Sequence, residues 1–247
     1  MKHFLIALQF LTIFPIEISA PGKKLQIEKK DFGRSLLYFP VVGALIGLLL
    51  IVIAFVFGFL PTLVRGAFIL IASIIITGGI HLDGLADTCD GFYGSKSKEK
   101  TLRIMRDSRI GVMGAIGIAC LLLLKFTLIV SLAPNVLYRA LIIMAVFGRW
   151  SMVLACFSSN YAREAGGAKY FVEYDSKKEF LAGTLFVIAL FLLLMGLKGI
   201  VLLAISVILV FLFINYVKKR IGGVTGDTIG ATCELAEIII LFFALVC

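Results

Sequence analysis

Three aspartates with helical spacing mark the part of this sequence best suited to chemistry. Asp83, Asp87 and Asp90 lie within Gly-Gly-Ile-His-Leu-Asp-Gly-Leu-Ala-Asp-Thr-Cys-Asp-Gly. Residues four and seven positions apart fall within about 60° of one another on an α-helix, so the three carboxylates share one face. Their mutual repulsion would destabilise the helix unless a cation or a substrate neutralises it. The stripe therefore predicts a site for Mg²⁺ or Mn²⁺, which prefer oxygen ligands, with a solvated acidic face as the alternative.

Two glycines and a histidine accompany the aspartates. Gly84 and Gly91 fall side by side next to the acidic stripe on the same helix. A strip without side chains predicts room for a bulky phosphorylated substrate beside the carboxylates. His81 is a candidate general base or hydrogen-bond donor to phosphate. A structural histidine at a membrane interface is the alternative.

A basic segment follows the aspartates. Arg103 and Arg106 lie three residues apart on a predicted helix, and Arg109 comes next. These arginines are candidates for phosphate binding, because guanidinium groups grip phosphate oxygens beside a metal–carboxylate cluster. Charges that only set topology or attract anionic lipid are the alternative. Arg149 is a separate candidate inside an apolar span, where it would bind substrate phosphate or pair with a carboxylate.

A glycine-rich segment, residues 222–230, opens the last apolar stretch. Glycines ahead of a helix let backbone N–H groups approach a phosphate, and the helix dipole favours the anion. Gly226 is therefore a candidate for substrate binding, with helix packing as the alternative. Asp227 and Glu234 follow it, and they would complete a metal shell or cap the helix.

The elements that must position these residues are membrane helices. Of the 247 residues, 61% are hydrophobic and 16% are charged. The apolar residues come in long blocks, which excludes a soluble protein and predicts an all-α polytopic membrane bundle, one domain over residues 1–247. Seven spans are predicted at about 36–60, 63–80, 110–133, 137–157, 180–197, 199–217 and 228–246. Residues 3–16 are short for a span and predict an interfacial or re-entrant helix.

Lysine and arginine are distributed unevenly between the two sides of this bundle. Eighteen lie in segments 17–35, 81–109, 158–179 and 218–227, and only three lie in the connections on the other side. This asymmetry predicts that the first set faces the cytoplasm. The net charge of +9 is then explained by topology, so membrane lipid is an expected partner and nucleic acid is not.

These motifs resemble one known family along nearly the whole chain. Residues 79–91 are similar to the acidic signature of the cobalamin synthase family, the adenosylcobinamide-GDP ribazoletransferases. The similarity continues through residues 7–12, 39–43, 104–111 and 223–228. Ile13-Phe14-Pro15 departs from the family pattern, which has an arginine before the proline.

The resemblance implies the last assembly step of the cobalamin nucleotide loop. The 3′-hydroxyl of α-ribazole, or of its 5′-phosphate, attacks the cobinamide-linked phosphoryl group of adenosylcobinamide-GDP and expels GMP. The resemblance also implies a Mg²⁺ requirement. Ions held by Asp83, Asp87 and Asp90 would neutralise the pyrophosphate, Arg106 or Arg109 would hold phosphate, and a carboxylate or His81 would take the hydroxyl proton.

The same resemblance implies a multi-pass protein of the plasma (inner) membrane with its site facing the cytoplasm. A homo-oligomer and an association with other cobalamin-assembly enzymes are both left open. Two other functions fit the residues less well. A membrane phosphotransferase of the CDP-alcohol type would have a different aspartate spacing and an Ala-Arg pair that the acidic segment, residues 78–94, does not contain. A cation transporter would carry its carboxylates near the bilayer midplane.

Overall fold

The computed structural model describes residues 1–14, 19–20, 23–24, 27–174 and 176–246. The helices within these residues are α1 (Lys2–Leu11), α2 (Lys29–Ser35), α3 (Phe39–Val56), α4 (Thr62–Thr77), α5 (Ile80–Gly94), α6 (Lys98–Ile104), α7 (Val112–Ser131), α8 (Pro134–Ser158), α9 (Lys169–Val172), α10 (Lys177–Ile221) and α11 (Gly226–Val246). A 3-10 turn, Leu36–Tyr38, joins α2 to α3. Ser19–Ala20 pairs antiparallel with Lys23–Lys24. The prediction of an all-α architecture is confirmed.

Several of these helices have the length and composition of membrane spans. Five of the described helices are long and apolar enough to cross a bilayer, counting α2 and α3 as one. Helices α4 and α5 would add a sixth if the pair, bent by 88°, were a single span. The polytopic membrane bundle is therefore confirmed, whereas the number of crossings depends on how α10 runs.

Helix α10 is broken at Gly196, whose backbone angles of φ 62° and ψ −149° are not helical. Its 45 residues would measure about 67 Å as a straight helix, roughly twice the apolar thickness of a bilayer. A Cβ added to Gly199 would lie 2.5 Å from the carbonyl oxygen of Phe191. In a straight helix these residues would be about 12 Å apart along the axis, so the chain reverses between them.

The two ends of α10 lie beside the same end of α8. Near its start, the ring of Phe180 stacks on Phe157 with centroids 4.3 Å apart. Near its finish, Lys218 Nζ donates to the carbonyl oxygen of Ser158 at 2.8 Å. Helix α10 is thus a hairpin of two arms, which agrees with the two separate spans expected between residues 180 and 217.

Four buried charges join α7, α8 and α11 inside the bundle. Lys125 Nζ donates to Glu234 at 2.7 Å and to Glu237 at 2.6 Å. Arg149 donates to the other carboxylate oxygen of Glu237. Two cations therefore balance two anions, as buried charges require, and the three helices are tied together.

The segments that were predicted to be cytoplasmic lie together at one end of the bundle. Backbone hydrogen bonds join Ala162 to Val224 and Val224 to Asn160, both at 2.8 Å. Arg220 at the end of α10 donates to the carbonyl oxygens of Phe92 and Ser95 at the end of α5. We call this the α5 end of the bundle.

Helix α1 also packs at the α5 end. Its ten residues measure about 15 Å, too short to cross a bilayer, and they lie against α2 and α3. The ring of Phe10 contacts Phe39 and Phe171, with centroids 5.9 Å and 4.6 Å away. The expected short N-terminal helix is therefore present, although it ends at Leu11, before the predicted boundary, and residues 15–16 lie outside the described ranges.

Candidate active site

Two glycines turn the chain sharply between α4 and α5. Gly78 and Gly79 both have positive φ, 64° and 68°, a conformation that residues with side chains rarely adopt. The 88° bend sends α5 against α7 and α11 and away from the axis of α4. The acidic stripe thereby lies at the α5 end, beside the first turns of α7 and α11.

Three carboxylates form a cluster there: Asp83 and Asp87 from α5, and Asp227 from the first turn of α11. Asp83 borders one cavity with Asp87 and a second cavity with Asp227. Burial, followed by the negative charges of Asp227 and Asp83, raises the pKa of Asp87 to about 7. Two of the three α5 aspartates therefore lie close to Asp227, and their role as metal ligands stays a prediction.

The third aspartate of the stripe has a different environment. Asp90 accepts hydrogen bonds from the backbone N–H groups of Gly111 at 2.7 Å and Gly114 at 2.8 Å. These groups begin α7, where the first N–H groups of a helix have no partners within it. Asp90 thus caps α7, and its predicted role as a metal ligand stays a prediction.

Arg163 was not identified from the sequence, yet it contacts the carboxylate cluster. It donates to Asp227 at 2.7 Å and, more weakly, to the carbonyl oxygen of Met105 at 3.4 Å. The strand-like contact of residues 160–162 with Val224 carries Arg163 to this position. A reciprocal cap, in which Thr225 and Thr228 each accept from the other's backbone N–H, fixes the start of α11.

Three neighbouring cavities surround the cluster. An apolar cavity of about 200 Å³ is lined by Phe10, Phe39, His81, Asp83, Phe171 and Asp227, among others. An acidic cavity of about 280 Å³ is lined by Asp83, Asp87, Arg106, Asp107 and Ser108 with apolar neighbours. A basic groove of about 370 Å³ is lined by Glu99, Arg103, Arg106, Arg163 and Glu164 with Leu102 and Ala162. Asp83 borders both the apolar and the acidic cavity, and Arg106 borders both the acidic cavity and the basic groove. The acidic cavity therefore lies between the other two.

The predicted arginines divide between this site and other places. Arg103 and Arg106 line the basic groove, and their role in phosphate binding stays a prediction. Arg109 is 86% exposed and pairs with Asp107 at 2.8 Å, and it lines none of the three cavities. Arg149 is 2% exposed and pairs with Glu237, so the structural alternative replaces its predicted contact with substrate phosphate.

Glu234 and the glycine strip also differ from the sequence interpretation. Glu234 is buried and pairs with Lys125, so as a metal ligand it remains only a prediction. A Cβ at Gly84 would lie 2.6 Å from the carbonyl oxygen of Asp227, and the space beside Gly91 is filled by Met105. These two glycines therefore allow close helix packing and do not open onto a substrate cavity. Gly226, in contrast, lines the apolar cavity.

The residues present fit a Mg²⁺ ion that is shared with a phosphorylated substrate. In the described part of the chain, no three His, Cys, Asp or Glu side chains converge closely enough to hold a metal ion by themselves. Mg²⁺ is commonly bound by one or two carboxylates, several waters and substrate phosphates, and it does not need a complete protein cage. Asp83 and Asp87 form no ion pair with another described residue, so their charge is available to a cation.

The chain is similar in sequence to known proteins. No solved structure matches it. Three proteins named adenosylcobinamide-GDP ribazoletransferase are each 37% identical to it. The match to the protein of Acetivibrio thermocellus covers 98% of both chains, and the match to that of Clostridium botulinum strain Okra covers 99% of this chain and 98% of the relative. The match to the protein of Alkaliphilus metalliredigens covers 99% of this chain and 95% of the relative. The family model described as cobalamin-5-phosphate synthase matches residues 3–245. The chain therefore belongs to the cobalamin-5-phosphate synthase family.

Proposed function

We propose that this protein is a membrane-embedded transferase that joins adenosylcobinamide-GDP to α-ribazole, or to its 5′-phosphate, and releases GMP. One observation supports this proposal most strongly. In a chain of this family, a carboxylate cluster lies between an apolar cavity and a basic groove. In the proposed transfer the apolar cavity would hold a base, the carboxylates would hold a metal ion, and the basic groove would hold phosphate.

The reaction requires one bond to form and one to break. The ribose oxygen of α-ribazole bonds to the cobinamide-linked phosphorus, the anhydride bond to GMP breaks, and the hydroxyl proton passes to a carboxylate of the cluster. Arg103, Arg106 and Arg163 face the basic groove, where their guanidinium groups would hold phosphate oxygens and orient the phosphorus. Arg163 also holds Asp227 in place.

Asp83 and Asp87 are the residues that we propose hold Mg²⁺, with Asp227 beside them. When bound, the ion would neutralise the pyrophosphate and the charge that develops on the departing GMP. The raised pKa of Asp87 agrees with this role, because crowded carboxylates gain most from a cation that removes their repulsion.

We also propose that the α5 end faces the cytoplasm from the plasma membrane. Eighteen lysines and arginines in the segments at this end, against three on the other side, support that orientation. Nucleotide-bearing substrates would then reach the site directly from the cytoplasm.

The first test is to measure GMP release by purified protein in lipid vesicles with both substrates and Mg²⁺. Asp87→Asn is expected to lower the rate by about 10²–10³-fold, because it removes a charge on which the metal and the leaving group depend. Glu173→Gln is the matched control, since Glu173 is an exposed carboxylate at the same end and outside the three cavities. Absence of GMP release by the unsubstituted protein would refute the proposed function.

A further inference from the structure

The apolar cavity at the α5 end has an aromatic wall. The rings of Phe10, Phe39 and Phe171 contact one another, with centroids 4.6 to 5.9 Å apart. Met152 and Ile229 line the same cavity. A flat apolar ligand would gain from such a wall, because offset stacking and edge contacts between aromatic rings are favourable.

His81 supplies this cavity with a polar group that lacks a partner. Its side chain is 3% exposed, and neither ring nitrogen has a hydrogen-bond partner among the described residues. Buried polar groups are nearly always hydrogen-bonded, so an unpartnered imidazole at a cavity is explained by a ligand that supplies the partner. The ligand therefore needs a large apolar surface and at least one hydrogen-bonding atom.

The position of the cavity connects it to the proposed chemistry. Asp83 forms part of the wall of both the apolar and the acidic cavity. A nucleoside whose base occupied the apolar cavity would place its ribose at this shared wall. Its hydroxyl would then lie next to the carboxylates and the phosphate-binding arginines.

We propose that the apolar cavity binds the benzimidazole base of α-ribazole, an inference that rests on the proposed function. This base is a flat bicyclic ring with two methyl groups, and after attachment of ribose it keeps one nitrogen that accepts a hydrogen bond. An imidazole N–H of His81 is the matching donor. Guanine carries several donors and acceptors that the aromatic wall would leave unpaired, and a corrin ring is too large for about 200 Å³.

Narrowing the open side of the cavity tests the assignment. Gly167 lines the cavity and is exposed, and a Cβ added to it meets no other atom within 4 Å, so Gly167→Leu adds a side chain at that open side without a clash. The control is Ala140→Leu, which fills an apolar cavity of about 190 Å³ lined by Ala140, Ile143 and Leu202. Ala140 lies near the start of α8, far from the α5 end. Both variants are purified in detergent, and their melting temperatures show whether each has folded.

Binding and turnover are then measured separately. In equilibrium dialysis with α-ribazole alone, Gly167→Leu is expected to weaken binding at least about tenfold, whereas Ala140→Leu binds like the unsubstituted protein. The KM for adenosylcobinamide-GDP is expected to change less than about twofold in both variants. His81→Phe, which keeps a ring but loses the donor, is expected to weaken α-ribazole binding as well.

The outcomes distinguish this inference from the proposed function. Equal binding of α-ribazole by folded Gly167→Leu and by the unsubstituted protein would overturn the cavity assignment. A rise only in the KM for adenosylcobinamide-GDP would overturn it too, because the cavity would then hold the other substrate. If Gly167→Leu weakens α-ribazole binding but the unsubstituted protein releases no GMP, the cavity assignment is supported and the proposed function is refuted.

Discussion

Asp87 combines a negative charge with surroundings that disfavour it. Burial and the charges of Asp227 and Asp83 raise its pKa from 3.8 to about 7. Because the pKa of this carboxyl is higher in the folded state, its contribution to stability is full below about pH 4 and is lost as the pH rises through about 7. A bound cation would reverse the effect by neutralising the cluster.

This linkage predicts a pH-dependent melting temperature. Without divalent cations, the melting temperature is expected to fall as the pH rises from about 6 to 8, and Mg²⁺ is expected to restore it at the higher pH. Scanning calorimetry in detergent with EDTA or with Mg²⁺ measures both effects. Asp87→Asn should lose most of the pH dependence; an unchanged profile in that variant would remove Asp87 as its source.

Arg163 joins the basic groove to the carboxylate cluster through Asp227. Arg163→Ala is expected to raise the KM for adenosylcobinamide-GDP about tenfold or more, since a hydrogen bond to a charged group contributes about 1.5–3 kcal/mol. Arg163→Lys should recover only part of the loss, because an ammonium group cannot grip two oxygens in one plane. Lys169→Ala, in the segment just after this loop, is the control. An equal rise in the KM of that variant would mean that the effect of Arg163→Ala comes from the loss of a positive charge in general and not from the contacts of Arg163.

Part of the site could be predicted from residue types and spacing alone. The common face of Asp83 and Asp87 follows from helical periodicity, and the place of Asp227 follows from its position at the start of the last helix. The partners of Asp90 and Arg149 could not be predicted, because they belong to helices distant in sequence. Arg163 gave no signal beyond a charge in a basic loop, and the aromatic wall is made of phenylalanines that look like any other apolar residues.

The N-terminus of helix α7 is capped by a side chain from another helix, Asp90 of α5. The carboxylate of Asp90 accepts from two backbone N–H groups of that first turn. Any side chain at Gly111 or Gly114 would meet this carboxylate, so the glycines and the aspartate form one unit. The cap fixes α7 against α5 and so supports the acidic cavity.

Loss of this cap is expected to reduce stability more than chemistry. Asp90→Ala should lower the free energy of unfolding by about 0.5–2 kcal/mol, the usual cost of replacing a helix-capping side chain by alanine, and should lower the melting temperature with it. GMP release at a temperature where the variant is folded should fall less than in Asp87→Asn. A variant with the original melting temperature and no activity would instead place Asp90 in the metal site.

The lengths of most membrane helices followed from hydropathy, whereas turns between them did not. The span predicted over residues 110–133 is found as α7, Val112–Ser131. The reversal expected near Lys198–Gly199 occurs at Gly196, because backbone freedom and not charge decides where a helix can turn back. The bend before α5 was also missed, since positive φ at two successive glycines is not visible in a hydropathy pattern.

The orientation of the whole molecule can be tested by labelling single cysteines. In a background without native cysteines, substitutions at Ser97 and Pro61 are expected to react with an impermeant reagent from opposite faces of the membrane. Ser97 belongs to the α5 end, and Pro61 lies in the connection before α4. Labelling of both from the same face would refute seven crossings in the predicted arrangement.

The buried charges have a consequence for biosynthesis. Lys125 and Arg149 belong to α7 and α8, whereas their acidic partners Glu234 and Glu237 lie on α11, which follows both in the sequence. During translation, two cations must therefore enter the membrane before any anion arrives to neutralise them, an arrangement that costs several kcal/mol while it lasts. Insertion of α11 is therefore the step that neutralises the interior, and a ribosome that stops before residue 226 leaves a bundle whose interior is still charged.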